Sequence, residues 1–312
     1  MIKITLSIVL FTLFFTIPAH ANEELNPHLE RKALYKKTEA VTQVPWYYLA
    51  AIDQYERKTR QDDRLISIHF PEHEWFGVMN IDQNPSEKAI QLHHGIGLDG
   101  NDDGLVDPDD PEDQLYTMSM LVSRYGISEL DIQKALWDYY ERPLAVKTIK
   151  QTARIYRTYQ TTELNEVVFP VPKHSNYSYR STWGDRRGFG GRRIHEGTDI
   201  FAGYGTPVRA TTYGTIEIMG WNRFGGWRMG IRDLNNIYHY FAHLSGFEAD
   251  LEIGTIVEPG DVIGYVGSTG YGPPGTSGKF PPHLHYGMYK DNGENQWAFD
   301  PYPFLKKAES ES

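Results

Sequence analysis

Pro281-Pro-His283-Leu-His285-Tyr-Gly-Met-Tyr289 decides how this chain is read. Successive side chains alternate between the two faces of a strand, so two histidines separated by one residue point the same way. His283 and His285 are expected to look into one site, with Leu284 facing the opposite layer. The strand is entered from a Gly- and Pro-rich run, Gly267 to Pro282. Upstream, Ile237-Tyr-His-Tyr-Phe-Ala-His243 reads as a second, aromatic strand, with His239, Phe241 and His243 expected to share a face. A third stretch, His195-Glu-Gly-Thr-Asp199, could bring its ends together on a helix. Gly197, Thr198 and the following Ile-Phe-Ala-Gly argue instead for a loop running into a strand.

Neutral imidazole and carboxylate form a ligand set that zinc prefers, and a catalytic zinc site takes three of them and leaves one position open. The chain offers more than three candidates, and surplus histidines suit general acid or base work. The spacing is not the helical His-Glu-x-x-His arrangement, so Glu196 is not expected to be a general base. A histidine in an aromatic strand, such as His239, is more often structural than catalytic. His-x-x-x-Asp alone is a weak signal and His-x-His a moderate one. All three elements in this order are strong, with Trp183-Gly-Asp-Arg before the first, Gly205-Thr-Pro-Val-Arg-Ala after it and Pro259-Gly-Asp-Val-Ile-Gly-Tyr-Val-Gly267 before the last.

This order resembles the lysostaphin/LytM-type zinc endopeptidases, which cut the peptide part of bacterial cell walls. The resemblance covers residues 167–305 and implies roles by position. His195, Asp199 and His285 would be zinc ligands, and His243 and His283 would polarise the attacking water and stabilise the tetrahedral intermediate. None of these five positions departs from the family pattern. The basic cluster Arg186, Arg187, Arg192 and Arg193 flanks the first motif and is either a solvated loop or a contact for substrate carboxylates.

With 312 residues the chain is long for one domain and comfortable for two. It has no Cys, which excludes a disulfide framework and thiolate metal sites. A net charge of −10 without a broad basic tract argues against nucleic acid as a partner. Met1 to Ala21 reads as a secretory leader: Lys3, an apolar run from Ile4 to Ile17, then Ala19-His-Ala21 for cleavage. The run is too short for a comfortable membrane span. A secreted or envelope protein without a stable membrane anchor is expected.

Residues 22–162 are expected to form a helical domain. Leu29 to Glu39, Tyr47 to Tyr55, Asp113 to Tyr125, Ser128 to Tyr140 and Val146 to Tyr159 carry apolar residues at helical spacing. Pro45, Gly126 and Pro143 punctuate them. Thr161 to Glu166 reads as a linker, and from residue 163 to 312 short apolar stretches between Gly turns predict an antiparallel β-rich domain.

Ala51-Ile-Asp-Gln-Tyr-Glu56 resembles the helix that bears the single catalytic Glu of lytic transglycosylases and goose-type lysozymes. Gly77-Val-Met-Asn80, Asp110 to Tyr116 and Ala135 to Tyr140 fit the same lysozyme-like pattern. Glu56 is followed by Arg57-Lys-Thr-Arg60, not the Ser-Gly-aromatic sequence of the active enzymes, and nearby positive charge favours the ionised carboxylate. A retired or repurposed lysozyme-like module is favoured over an active one. In Asp99-Gly-Asn101-Asp-Asp103-Gly-Leu-Val-Asp107-Pro-Asp-Asp110, oxygen ligands at positions one, three and five with Gly sixth match the start of an EF-hand calcium loop. Asp110 replaces the usual Glu at position twelve, so calcium and a solvated acidic turn both stay open.

The expectation is a two-domain α+β protein acting on peptidoglycan, a helical lysozyme-like module followed by a LytM-type zinc peptidase. As a whole the arrangement resembles the sporulation-associated L-alanyl-D-glutamate endopeptidases of endospore-forming bacilli. That implies cleavage in the stem peptide next to muramic acid and a role in spore cortex maturation. The alternatives are a glycan-cleaving enzyme working through Glu56 and a non-catalytic wall-binding factor.

Overall fold

The structure is a computed structural model that describes residues 26–188 and 193–311. The leader Met1 to Ala21 and Arg192 lie outside the described residues. Helices fill the first part: α1 (Pro27–Thr42), α2 (Trp46–Arg60), α3 (Glu72–Trp75), α4 (Glu87–Leu92), α5 (Pro111–Val122), α6 (Glu129–Tyr140) and α7 (Pro143–Tyr159). Their starts are written in the sequence. Asn26, Asp110 and Ser128 accept backbone N–H groups of the first turns of α1, α5 and α6, and Pro27, Pro111 and Pro143 sit at first helical positions. Helix α2 packs against α7, burying Leu49, Ile52, Ile149, Ala153 and Tyr156 in one apolar cluster.

The second part carries β1 (Tyr177–Tyr179), β2 (Arg186–Arg187), β3 (Arg193–Ile194), β4 (Thr198–Ala202), β5 (Pro207–Arg209), β6 (Gly214–Asn222), β7 (Gly226–Asp233), β8 (Ile237–Phe247), β9 (Ile256–Val257), β10 (Val262–Val266), β11 (His283–Asp291) and β12 (Gln296–Phe299), then α8 (Tyr302–Glu311). Ten of these strands form one sheet with the path β1-β4-β11-β8-β7-β6-β9; β12 adds to β11, and β10 joins β8 to β5. Every pairing between these strands is antiparallel. A second apolar cluster, with Phe169, Ile200, Phe241, Leu284 and Tyr286, lies on one face of this sheet. Helix α8 was not foreseen. It buries Leu305 and Ala308 in that cluster and packs Phe304 against it, too short a stripe to stand out in sequence.

The two clusters meet through specific contacts. Leu234, in the turn between β7 and β8, belongs to the helical cluster, and Gln54 Nε2 donates to its carbonyl at 2.8 Å. Arg142, just before α7, reaches both carboxylate oxygens of Asp291 at 2.8 and 2.6 Å. Asn236 Nδ2 adds a third bond to Asp291 at 3.0 Å, and the Asp291 side chain is fully buried. No helix among the described residues is long and apolar enough to cross a membrane.

Candidate metal centre and active-site cleft

Strand register builds the centre. His285 on β11 is the cross-strand partner of Asp199 on β4 and, on its other side, of Ala242 on β8. His195 lies in the short loop between β3 and β4, where Gly197 lets the backbone pass close to the His285 ring. A Cβ at Gly197 would lie 2.5 Å from His285 Cε1. His195 Nε2, Asp199 Oδ1 and His285 Nδ1 converge: His195 is 3.0 Å from Asp199 and 2.8 Å from His285, and His285 is 3.1 Å from Asp199. The edge of a zinc tetrahedron with 2.0–2.1 Å bonds is roughly 3.3 Å, so this donor set fits zinc with small adjustments. Among the described residues no other group of His, Asp or Glu gathers its ligand atoms so closely.

Outer contacts orient the three donors. His195 Nδ1 donates to the Thr182 carbonyl at 2.8 Å, which leaves Nε2 with its lone pair toward the centre. Thr182 Oγ1 accepts from the Asp199 amide at 3.1 Å. Arg187 pairs with Asp199 Oδ2, the oxygen not turned to the histidines. Burial works to raise the Asp199 carboxyl, but hydrogen bonds with His195 and His285 hold it well below the usual carboxylate range.

His243 and His283 flank this group, their ring centroids 4.9 Å apart. Each donates from Nδ1 to a backbone carbonyl, His243 to Thr269 at 2.8 Å and His283 to Pro281 at 2.9 Å. The tautomer leaves Nε2 of His243 free in the cleft and Nε2 of His283 free 3.8 Å from Asp199 Oδ1. Burial lowers both imidazoles, His243 to about 3, so each is neutral near pH 7.

His243 corrects one expectation. His239 and Phe241 face the apolar side of the sheet, where His239 bonds Tyr286 Oη at 2.6 Å and Asp233 at 3.1 Å. His243 instead faces the cleft with Tyr240 and Ala242. The cause is a β-bulge. Trp227 and Met229 on β7 pair with Leu244 and Phe241 on β8, leaving two β8 residues opposite one, and His243 takes φ 64°. Strict alternation would have buried it beside Phe241.

The cleft encloses about 290 Å³ and is also lined by Arg187, Arg193, Asn222, Phe224 and Tyr271. Tyr271 stacks on His243 with ring centroids 6.0 Å apart and bonds Arg193 across the mouth. It lies in a Gly- and Pro-rich loop where no spacing rule could have marked it. Arg186 is exposed. Glu56 stands apart from all this: it is 3% exposed, paired with Arg60 at 2.7 Å and bonded by Tyr140 Oη at 2.8 Å, as a structural ion pair is. In the Asp99–Asp110 loop the side chains cap the loop's own backbone. Asp99 accepts from Asp102 and Gly104, Asn101 from Asp103, Asp103 from Leu105, Asp107 from Asp109, and Asp110 from Glu112.

An antiparallel sheet with a His-Asp-His centre beside two further histidines defines a metallopeptidase type of site. The chain belongs to peptidase family M23, whose profile matches residues 193–301. It is 53% identical to the L-Ala--D-Glu endopeptidase of Bacillus subtilis (strain 168) over 316 aligned positions, 97% of this chain and 96% of the other. Lysostaphin from Staphylococcus simulans is 36% identical over 117 residues, 37% of this chain and 22% of lysostaphin. The solved catalytic domain of that lysostaphin is 34% identical, covers 42% of this chain and 93% of the domain, and superposes with a TM-score of 0.34.

Proposed function

We propose that the chain is a zinc endopeptidase of peptidoglycan that hydrolyses the L-Ala–D-Glu bond of stem peptides. The observation that carries this reading is the convergence of His195, Asp199 and His285 on a point flanked by two neutral histidines. The bond itself follows from full-length similarity to the Bacillus subtilis enzyme. Export through the leader, and work on the wall or spore cortex, belong to the same proposal.

His195, Asp199 and His285 would hold the ion. Bound zinc supplies a Lewis acid toward a water and a peptide carbonyl. One of the neutral Nε2 atoms of His243 and His283 would take a proton from the attacking water and later deliver it to the leaving amine. The other, its Nδ1 held by a backbone carbonyl, would accept a hydrogen bond from the same water through its Nε2 lone pair and so help to orient it. Thr182, Thr269 and Pro281 fix the tautomers that make these exchanges available. The roles of these five residues, and a lysozyme-like ancestry for the helical part, are part of the proposal.

Mass spectrometry of muropeptides after digestion with the purified protein, with and without a zinc chelator, tests it. Chelator-sensitive release of peptides with a new glutamate amino terminus is the expected result. A different new terminus would discard the bond assignment. Anhydro-muramyl products that survive chelation would move the chemistry to Glu56.

Calcium at the Asp99–Asp110 loop is proposed on a narrower observation. The Asn101 carboxamide bridges Asp103 and Asp110 at 3.2 and 3.3 Å, drawing positions three, five and twelve of the loop together. A melting temperature that calcium and EGTA leave unchanged would remove it.

A further inference from the structure

A second hollow, larger than the cleft, lies in the helical part. A groove of about 500 Å³ runs between the start of α2, α6 and α7. Three aromatic residues line it: Tyr47 and Tyr48, with ring centroids 5.4 Å apart, and Trp137, which is 47% exposed. Along α7, Lys147, Lys150, Arg154 and Arg157 follow one face at steps of three and four residues and border the groove. The lysines are engaged: Lys147 lies 3.3 Å from Glu217, and Lys150 lies 3.7 Å from Glu129 and donates to Gln133 at 2.6 Å. Arg154 and Arg157 are exposed and have no carboxylate partner among the described residues. Arg157 is held 6.0 Å from the ring centre of Tyr47. On the groove wall, Gln151 Oε1 is buried without a hydrogen-bond partner.

These features set the chemistry of an occupant. The exposed Trp137 ring, beside the partly exposed Tyr47 and polar groups, suits a pyranose ring, which is apolar on one face and polar at the rim. Lys147, Lys150 and the Gln151 side chain add polar groups at the rim of the groove, the kind that meet sugar hydroxyls and amides. Two unpaired guanidinium groups on a chain of net charge −10 mark a local cationic spot for carboxylates. One polymer combines the three: a glycan strand with N-acetyl groups and carboxylate-ended substituents. Resting on the function proposed above, cleavage between L-Ala and D-Glu generates such a polymer, because each muramyl group keeps one alanine that ends in a carboxylate.

We propose that this groove binds the carboxylate-bearing glycan strand of peptidoglycan at a site separate from the cleft. Glu217, which contacts the groove wall, is five residues along β6 from Asn222 of the cleft, roughly 16 Å at 3.3 Å per residue. A strand seated in the groove is thus anchored beyond the reach of the bond being cut. Small soluble muropeptides need only the cleft, whereas intact wall uses both.

The test uses the full chain, freed of metal by chelation so that nothing is cut. The probe is amidase-stripped glycan strands, whose muramyl groups end in free carboxylates, titrated by calorimetry beside a neutral chito-oligosaccharide. The native protein should prefer the carboxylate-bearing strands. Trp137→Ala and the double variant Arg154→Gln/Arg157→Gln should each weaken that binding at least about tenfold, close to the loss of one stacking or charge-assisted contact. Zinc-loaded variants should cleave a soluble disaccharide-peptide at the native rate but lose activity on intact sacculi. If Trp137→Ala lowers the melting temperature, the arginine pair, being exposed, decides. Unchanged strand binding by the variants, equal affinity for the neutral sugar, or preference for a teichoic acid would overturn the proposal. The two readings fail separately, because a native protein inert on the soluble peptide counts against the endopeptidase and not against the groove.

Discussion

Phe241 and His243 are two residues apart on one strand and point to opposite sides of the sheet. The bulge between them carries the imidazole into the cleft at the cost of a left-handed backbone at His243, φ 64°. Two substitutions separate the chemical role from the backbone cost. His243→Ala should lower kcat/KM by about 10²–10⁴, the usual scale of a lost acid–base group, with metal content unchanged. His243→Gly should be as inactive yet more stable than His243→Ala by about 1 kcal/mol, because glycine adopts this φ without strain. Equal stability of the two would show that the backbone there is not left-handed.

The centre depends on three donors with no spare. Asp199→Ala or His285→Ala should weaken zinc binding by more than about 100-fold, beyond the range typical for losing an outer contact. Metal analysis after dialysis against a competing chelator reads this directly. Full metal occupancy in both variants would move the ion elsewhere.

Arg142→Ala leaves the Asp291 carboxylate buried without its cation. Breaking a buried pair in this way costs about 3–5 kcal/mol, and urea denaturation should show that loss. A change under about 1 kcal/mol would mean that water reaches Asp291 and the contact behaves as a surface pair.

Glu309 on α8 gives a pH signature. Partial burial works against its charge, but Lys306, Tyr177 and Tyr179 each bond it at 2.7 Å and hold it down to about 2. A carboxyl whose pKa is depressed on folding adds stability that is present above its unfolded value and lost as pH falls through its folded one. The native protein should exceed Glu309→Gln by about 1–2 kcal/mol at pH 6, the scale of hydrogen bonds to a charged group. The gap should shrink below the ordinary value of 4.5 and close near pH 2. A gap that does not change with pH would assign the effect to shape rather than charge.

Much of this was legible because it follows from short-range geometry. The two-residue period placed His283 and His285 on one face, both toward Asp199, and Leu284 in the opposite layer, where it is fully buried. Apolar residues at helical spacing, punctuated by Pro45, Gly126 and Pro143, marked α1, α2, α5, α6 and α7 within a few positions. The bulge at His243 was not legible, since an extra residue in a strand leaves no mark in its hydrophobic pattern. Nor could the partners of Arg187 and Arg193 be assigned, because Asp199 and Tyr271 reach them through folding of distant segments. Glu56 looked like a solitary acid in sequence, and only the fold brings Tyr140 onto it.

Asp291 ends the strand that His283 begins, and the nine residues of β11 run between them without a turn. The strand therefore acts as a splint. A pull on the helical region reaches Arg142, passes into Asp291 and travels along the backbone to His285, with no hinge on the way to absorb it. The consequence is mechanical: what moves Arg142 moves the donor His285 with it.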